Sequence, residues 1–252
     1  MVPSPATANL LPVLLLAMLS GATTLIGVAL ALWLGRNVAG IAVGIGLSAG
    51  IMLLVSFAEL LPEAITLAGY KGALVALGVG FGGMGLLHLL IPHTHLFKEK
   101  GAFGGHELRA AYLVALGLIL HDFPEGFAMA HSYMVTPALG LLVAVSIAIH
   151  NIPEEFAMAA PVVLAKRKRF LILAAVVSAM AEPLGALLGL FAAELKPAFI
   201  PRFMAAAAGA MIFVSLHELL PMARRYGKLQ LFALGAVLSV AVYALLLLLM
   251  SE

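Results

Sequence analysis

Residues 121–130 read HDFPEGFAMA and residues 150–159 read HNIPEEFAMA, identical at seven of ten positions. In each copy a histidine and a glutamate stand four residues apart, so on a helix His121 faces Glu125 and His150 faces Glu154 along one side. An imidazole and a carboxylate so placed are half of a metal site. Two copies brought face to face supply two imidazoles and two carboxylates, a set suited to a divalent first-row ion. Asp122 and Asn151 follow the histidines by one residue, where an oxygen can reach the same ion or a neighbouring one. Bridging by Glu125 and Glu154 would then make a two-metal centre. Pro124 and Pro153 have no N–H, which frees the carbonyls of Leu120 and Ile149 and bends the helix at the ligands. Glu182, followed by Pro183, is the obvious additional carboxylate. With no cysteine in the chain, every ligand must be nitrogen, oxygen or thioether.

The elements that must carry these groups are membrane helices. Of 252 residues 63% are hydrophobic and only 10% charged, with a mean hydropathy of +1.13. A water-soluble globule needs about a quarter of its residues charged, so that class is excluded. A helix crosses the hydrocarbon with roughly 20 apolar residues. Eight such runs are expected, at 10–33, 39–64, 72–91, 108–131, 137–163, 169–194, 203–223 and 229–250. The runs are continuous and do not alternate as barrel strands would. The first lacks a basic leader and reads as a retained helix, not a secretion signal. The expected fold class is therefore an all-α membrane protein.

Basic residues set the expected orientation. Eleven of the fourteen fall in the first, third, fifth and seventh loops: Arg36; Lys98, Lys100 and Arg109; Lys166, Arg167, Lys168 and Arg169; Arg224, Arg225 and Lys228. Lys71, Lys196 and Arg202 lie on the other side. Cytoplasmic loops collect Lys and Arg, so the odd loops face the cytoplasm and both termini face outward.

The acids behave oppositely. Asp122, Glu125, Glu154, Glu155, Glu182 and Glu218 fall within spans, and Glu59 and Glu63 in the last turns of one. Each costs a few kcal/mol or more at that depth, which makes it a functional residue by default. No Lys or Arg lies beside them, leaving protonation, water or a bound cation to hold the charge.

A second repeat supports the first. AGIMLLVSFAELLPEA at 49–64 matches AGAMIFVSLHELLPMA at 208–223 at ten of sixteen positions. Helices 4 and 5, and helices 2 and 7, run in opposite directions, so the copies are expected to be related by an axis in the membrane plane. The expected arrangement is 3+2+3 with inverted repeats, a transporter build with its site near the midplane.

The HDFPEG and HNIPEE segments, the AEPLGALLG that follows and the late AAGAMIFVSLHELLP resemble the ZIP (Zrt-, Irt-like protein) family of divalent metal transporters, in its bacterial branch, over all eight spans. The resemblance implies one transporter domain over 1–252, with a cytoplasmic histidine-containing loop at about 92–107. It implies a binuclear site between helices 4, 5 and 6. His121, Glu125, His150 and Glu154 would hold the primary ion, with Met52 as a thioether contact. Asp122, Asn151 and Glu182 would hold the second ion, Glu125 and Glu154 bridging. It further implies elevator-type alternating access, helices 1, 4, 5 and 6 moving against 2, 3, 7 and 8. The sequence departs from the family pattern with Asp at 122 and Glu at 155. Glu155 points about 100° away from Glu154 on a helix and is assigned to the pathway.

The remaining candidates carry two readings each. Met52 is a ligand or a packing filler. Glu59 and Glu63 form an external cation funnel, and His217 and Glu218 an exit relay, or all four are interfacially solvated. His93, His95 and His106 capture emerging metal in the third loop or are merely scattered. His88 and His131 read as interfacial polar residues, and Gly185 and Gly189 as close helix packing.

The expected function is transport of Zn²⁺ into the cytoplasm, with Fe²⁺, Mn²⁺, Co²⁺ and Cd²⁺ as further substrates. The chain is expected to be multi-pass in a bacterial inner membrane and not an enzyme. Its expected partners are the metal ions and the lipid bilayer, with a homodimer as candidate assembly and no nucleic acid. The alternatives are an intramembrane metal-dependent hydrolase, which needs an open coordination position and a general base, and a divalent cation channel.

Overall fold

The computed structural model describes residues 5–34, 37–90, 122–164, 168–225 and 227–250. Among them the regular elements are helices, and no strand occurs. Among the described residues seven helices are long and apolar enough to cross a membrane: Ala8–Trp33, Val38–Ala68, Tyr70–Leu89, Pro137–Ala157, Leu171–Leu195, Pro197–Arg224 and Leu229–Leu249. A further helical stretch, 122–135, is the described part of the fourth expected span. The loop expected at about 92–107 and the start of that span lie outside the described residues. The chain is an all-α, multi-pass membrane protein, as a backbone that must satisfy its own polar groups in lipid requires.

We label the helices in chain order. α1 is Pro5–Leu34; α2 runs from Val38–Leu54 through Val55–Leu60 to Leu61–Ala68; α3 is Tyr70–Leu90. α4 is 122–135 and α5 is Pro137–Leu164. α6 comprises Lys168–Ala179 and Ala181–Leu195, α7 runs from Ile200–Val214 through Ser215–Leu219 to Leu220–Arg225, and α8 is Leu229–Met250. Asn37 caps α2 by accepting the Gly40 N–H at 3.0 Å. Gly69, at φ +76°, is the single residue that turns α2 into α3; the left-handed region it occupies is open to glycine at little cost.

Two irregularities share one origin. In α2 the segment Val55–Leu60, and in α7 the segment Ser215–Leu219, widen into π-helix. Each closes on the same bond, Leu61 N–H to the Ser56 carbonyl and Leu220 N–H to the Ser215 carbonyl. Pro62 and Pro221 follow by one residue and donate nothing, which lowers the cost of leaving the α-helical register. The repeated sequence thus folds into the same defect twice. α6 breaks at Met180: Pro183 cannot donate to the Ala179 carbonyl, and Met180 N–H reaches the Val177 carbonyl, at 3.2 Å.

Packing divides the described helices into two sets. α1 lies along α5 and both halves of α6, while α2 pairs with α8 and α3 with α7. α4 meets α6 through two glycines: a Cβ on Gly126 would collide with the Glu182 carbonyl, and one on Gly185 with the Phe123 carbonyl. Close approach of this kind replaces a hydrophobic driving force that lipid does not provide, and Gly185 plays the packing role expected of it. α2 and α5 join the two sets. There Gly44 meets Pro153, and the Ser48 hydroxyl donates to the His150 carbonyl at 2.7 Å.

Candidate metal centre

The α4–α6 contact at Gly126 and the α1–α5 contact together bring one turn from each of α4, α5 and α6 into the interior. Glu125 of α4 and His150 and Glu154 of α5 converge there, each offering one ligand atom within 4.8 Å of the others. Glu125 and His150 have no exposed surface, and Glu154 is 2% exposed. The spacing of four residues that places His150 and Glu154 on one side of α5 therefore acts as expected. One close contact runs between helices: His150 Nε2 lies 2.9 Å from Glu125 Oε1.

The other nitrogen of that ring fixes its role. His150 Nδ1 lies 2.9 Å from the Ser146 carbonyl, an acceptor only, so Nδ1 carries the hydrogen. A neutral ring then presents the Nε2 lone pair to a carboxylate oxygen. Two lone pairs 2.9 Å apart require a proton or a metal ion held between them. A backbone carbonyl orienting the non-ligating nitrogen is the usual support of a metal-binding histidine.

A second group of oxygens adjoins the first. Asn151 Nδ2 donates to Glu182 Oε1 at 2.6 Å, and the Ser178 hydroxyl donates to Asp122 Oδ2. Asp122, Asn151, Ser178 and Glu182 are all buried. Both α6 residues come from one face, four apart across the break at Met180. Glu182 shares its electrostatic surroundings with Glu125 and Asp122. Carboxyl groups are thus concentrated where hydrocarbon gives their charged form no solvation, and the chemistry open to such a cluster is to bind a cation.

The other candidates fall in different places. His121, His93, His95 and His106 lie outside the described residues. Met52 is buried in α2, its sulfur 3.7 Å from the Ser215 hydroxyl of α7. Glu155 is buried too, its Cβ against Gly27 of α1. Glu59 accepts a hydrogen bond from Tyr243 of α8, and Glu63, partly buried, lies one turn on in α2. Glu59 and Glu218 both sit in the π-helical segments. His217 stacks on Phe213 with ring centroids 4.3 Å apart.

The two histidines read as interfacial polar residues have partners within the fold. His88 Nδ1 meets Glu218 Oε1 at 3.3 Å across the α3–α7 contact. His131 has no exposed surface and bonds the Phe127 carbonyl at 2.7 Å, packed against the Phe127 and Phe203 rings. Sequence reasoning also passed over the hydroxyls of Ser48 and Ser178. For Ser178 the signal was present, since it precedes Glu182 by four residues; for Ser48 and His88 only the fold makes the neighbour.

Residues 93–250 match the model of a family described as ZIP Zinc transporter. The chain is similar to proteins named Zinc transporter ZupT. The one from Chlorobium phaeovibrioides is 40% identical over 96% of this chain and 99% of that protein. The one from Corynebacterium aurimucosum is 38% identical over 91% and 93%, and the one from Salmonella heidelberg 39% identical over 84% and 86%.

Proposed function

Given that this chain belongs to the ZIP zinc transporter family, whose members are transporters and not enzymes, we propose that it carries divalent transition-metal ions, zinc foremost, into the cytoplasm through a binuclear position between α4, α5 and α6. The observation that carries this is the convergence of Glu125, His150 and Glu154. His121 completes the primary ligand set by its equivalence to His150 in the repeat, and Met52 borders it as a thioether contact. Asp122, Asn151 and Glu182 hold the second ion, with Glu125 and Glu154 bridging. Fe²⁺, Mn²⁺, Co²⁺ and Cd²⁺ are further substrates, since affinity alone does not select among first-row ions.

The chain spans the inner membrane eight times in a 3+2+3 inverted arrangement, odd loops inside and termini outside. The packing supports this. Exchanging helix 2 with 7 and 3 with 8 turns the α2–α8 pair into α7–α3, and exchanging 1 with 6 and 5 with 4 turns α1–α5 into α6–α4. Alternating access is of elevator type, α1, α4, α5 and α6 moving against α2, α3, α7 and α8, the two sets distinguished by their contacts. Glu59 and Glu63 gather cations outside; Glu155 lines the path; His217 and Glu218, joined by His88, relay them inside, where His93, His95 and His106 receive them. Imidazole and carboxylate ligands offset the loss of the ion's hydration, and protonation of the same groups weakens binding.

The test is zinc uptake by proteoliposomes with Glu125→Ala and Glu154→Ala. Uptake is expected to fall to background in both; uptake at the native rate in both would reject the site.

A further inference from the structure

We propose that α1 completes the second cation position, Ser20 supplying an oxygen to it and Thr24 extending the same polar face, so that this position is built of oxygen alone and favours harder ions than the histidine-containing one. The inference rests on the binuclear reading above and adds α1 to it.

Glycine seats α1 on both site helices. Pro183 leaves the Ala179 carbonyl of α6 without its usual donor, and Gly21 packs directly on that oxygen, where a Cβ would collide with it. Farther along, Gly27 packs on Ile152 and Glu155 of α5, with Glu155 Cβ 2.6 Å from the position of an added Cβ. Ser20, Thr24 and Gly27 follow at intervals of four and three and so share one face. That face looks onto the turns that carry Glu182 and Asn151.

Both hydroxyls on this face are buried and make no bond back to a carbonyl of α1. Ser and Thr in lipid-embedded helices ordinarily donate back to a carbonyl one turn earlier, and several in this chain do so. Thr23 donates to the Ser20 carbonyl at 2.6 Å, Ser215 to Met211 at 2.9 Å and Ser239 to Ala236 at 2.7 Å. Ser20 and Thr24 are 1% and 0% exposed, and the Thr24 hydroxyl has no hydrogen-bond partner among the described residues. Glu182 Oε2 is in the same condition, its other oxygen being engaged by Asn151. The Ser20 hydroxyl lies within interaction reach of the Glu182 carboxylate. A buried polar atom without a partner is costly, and here Ser20 lies beside a carboxylate whose second oxygen has none. A cation, with or without a water, satisfies them together.

The donor set fixes the class of ion. Asp122, Asn151, Glu182, Ser20 and Thr24 offer oxygen only, whereas the neighbouring cluster offers the His150 nitrogen. Oxygen-only sets suit Mn²⁺ and Mg²⁺, and imidazole suits zinc. Ser20 is thereby a specificity residue, and the two positions differ in preference.

The experiment is equilibrium binding to the full-length protein in detergent, with Mn²⁺ followed by electron paramagnetic resonance and Zn²⁺ by competition with a chromophoric chelator. In Ser20→Ala, Mn²⁺ affinity is expected to fall about tenfold further than Zn²⁺ affinity. Ser20→Thr, which keeps the hydroxyl, is expected to restore most of it, and Thr24→Val to show a smaller shift in the same direction. Equal loss of both metals in Ser20→Ala would overturn the proposal, as would native Mn²⁺ affinity in that variant or no Mn²⁺ binding by the unmodified protein. Because binding is read in detergent, absent uptake in liposomes would count against the transport reading alone.

Discussion

His150 Nε2 and Glu125 Oε1 meet at 2.9 Å, a contact between neighbouring helices that joins the two copies of the repeated motif. His150 is held for it by the Ser146 carbonyl on one side of the ring, and its own backbone carbonyl is held by Ser48 of α2. The pair is therefore oriented from within α5 and also from the other set of helices.

Replacing His150 by Ala removes a ligand whose orientation is already fixed, so zinc affinity is expected to fall by about ten- to a hundredfold. Chelator competition on the purified protein measures it. An affinity within twofold of the native value would place the ion elsewhere.

Ser178→Ala removes the donor to Asp122 while leaving the Glu125–His150–Glu154 cluster complete. Zinc stoichiometry at low free metal is expected to fall from two towards one per chain, read by equilibrium dialysis. Two tightly bound ions in the variant would show that Ser178 does not position the Asp122 oxygen.

Gly126→Val places a branched side chain against the Glu182 carbonyl. α4 and α6 cannot then keep their spacing, and both ion positions are expected to be lost together with a drop in thermal stability. Fluorescence-detected gel filtration on heating follows the stability, and dialysis the metal. A variant as stable as the native chain that still binds zinc would mean that the helices separate without harm.

Pro62→Ala and Pro221→Ala restore an N–H after each π-helical segment and allow regular α-helix to re-form, turning Glu59 and Glu218 away from their present directions. Uptake is expected to fall several-fold in each, with zinc affinity at the central cluster kept. Native uptake in both would assign the widened turns no part in conduction.

The local features were readable in advance wherever they depended on spacing within one helix. The four-residue interval places His150 and Glu154 together, Gly185 packs closely, and the run of apolar residues in α2 or α8 has only one use in lipid. The π-helical turns were not anticipated, although Pro62 and Pro221 at equivalent positions of the repeat marked them. His88 with Glu218 was missed because 130 residues separate them and no periodicity spans such a gap. The burial of His131 was not legible either, because a histidine near the end of an expected span looks solvated until the rings of Phe127 and Phe203 are seen to cover it.

By itself the sequence determined that the chain lives in lipid as helices and that it carries two copies of a ligand pair, because hydropathy and helical spacing are properties of neighbouring residues. Which helix each pair faces was decided by tertiary structure alone. Gly126, Gly185 and Gly21 let backbones approach until Glu125 met His150, Asn151 met Glu182 and Ser20 came beside that same carboxylate. Contacts of this kind depend on how whole helices pack, and a linear pattern holds no measure of the distance between them.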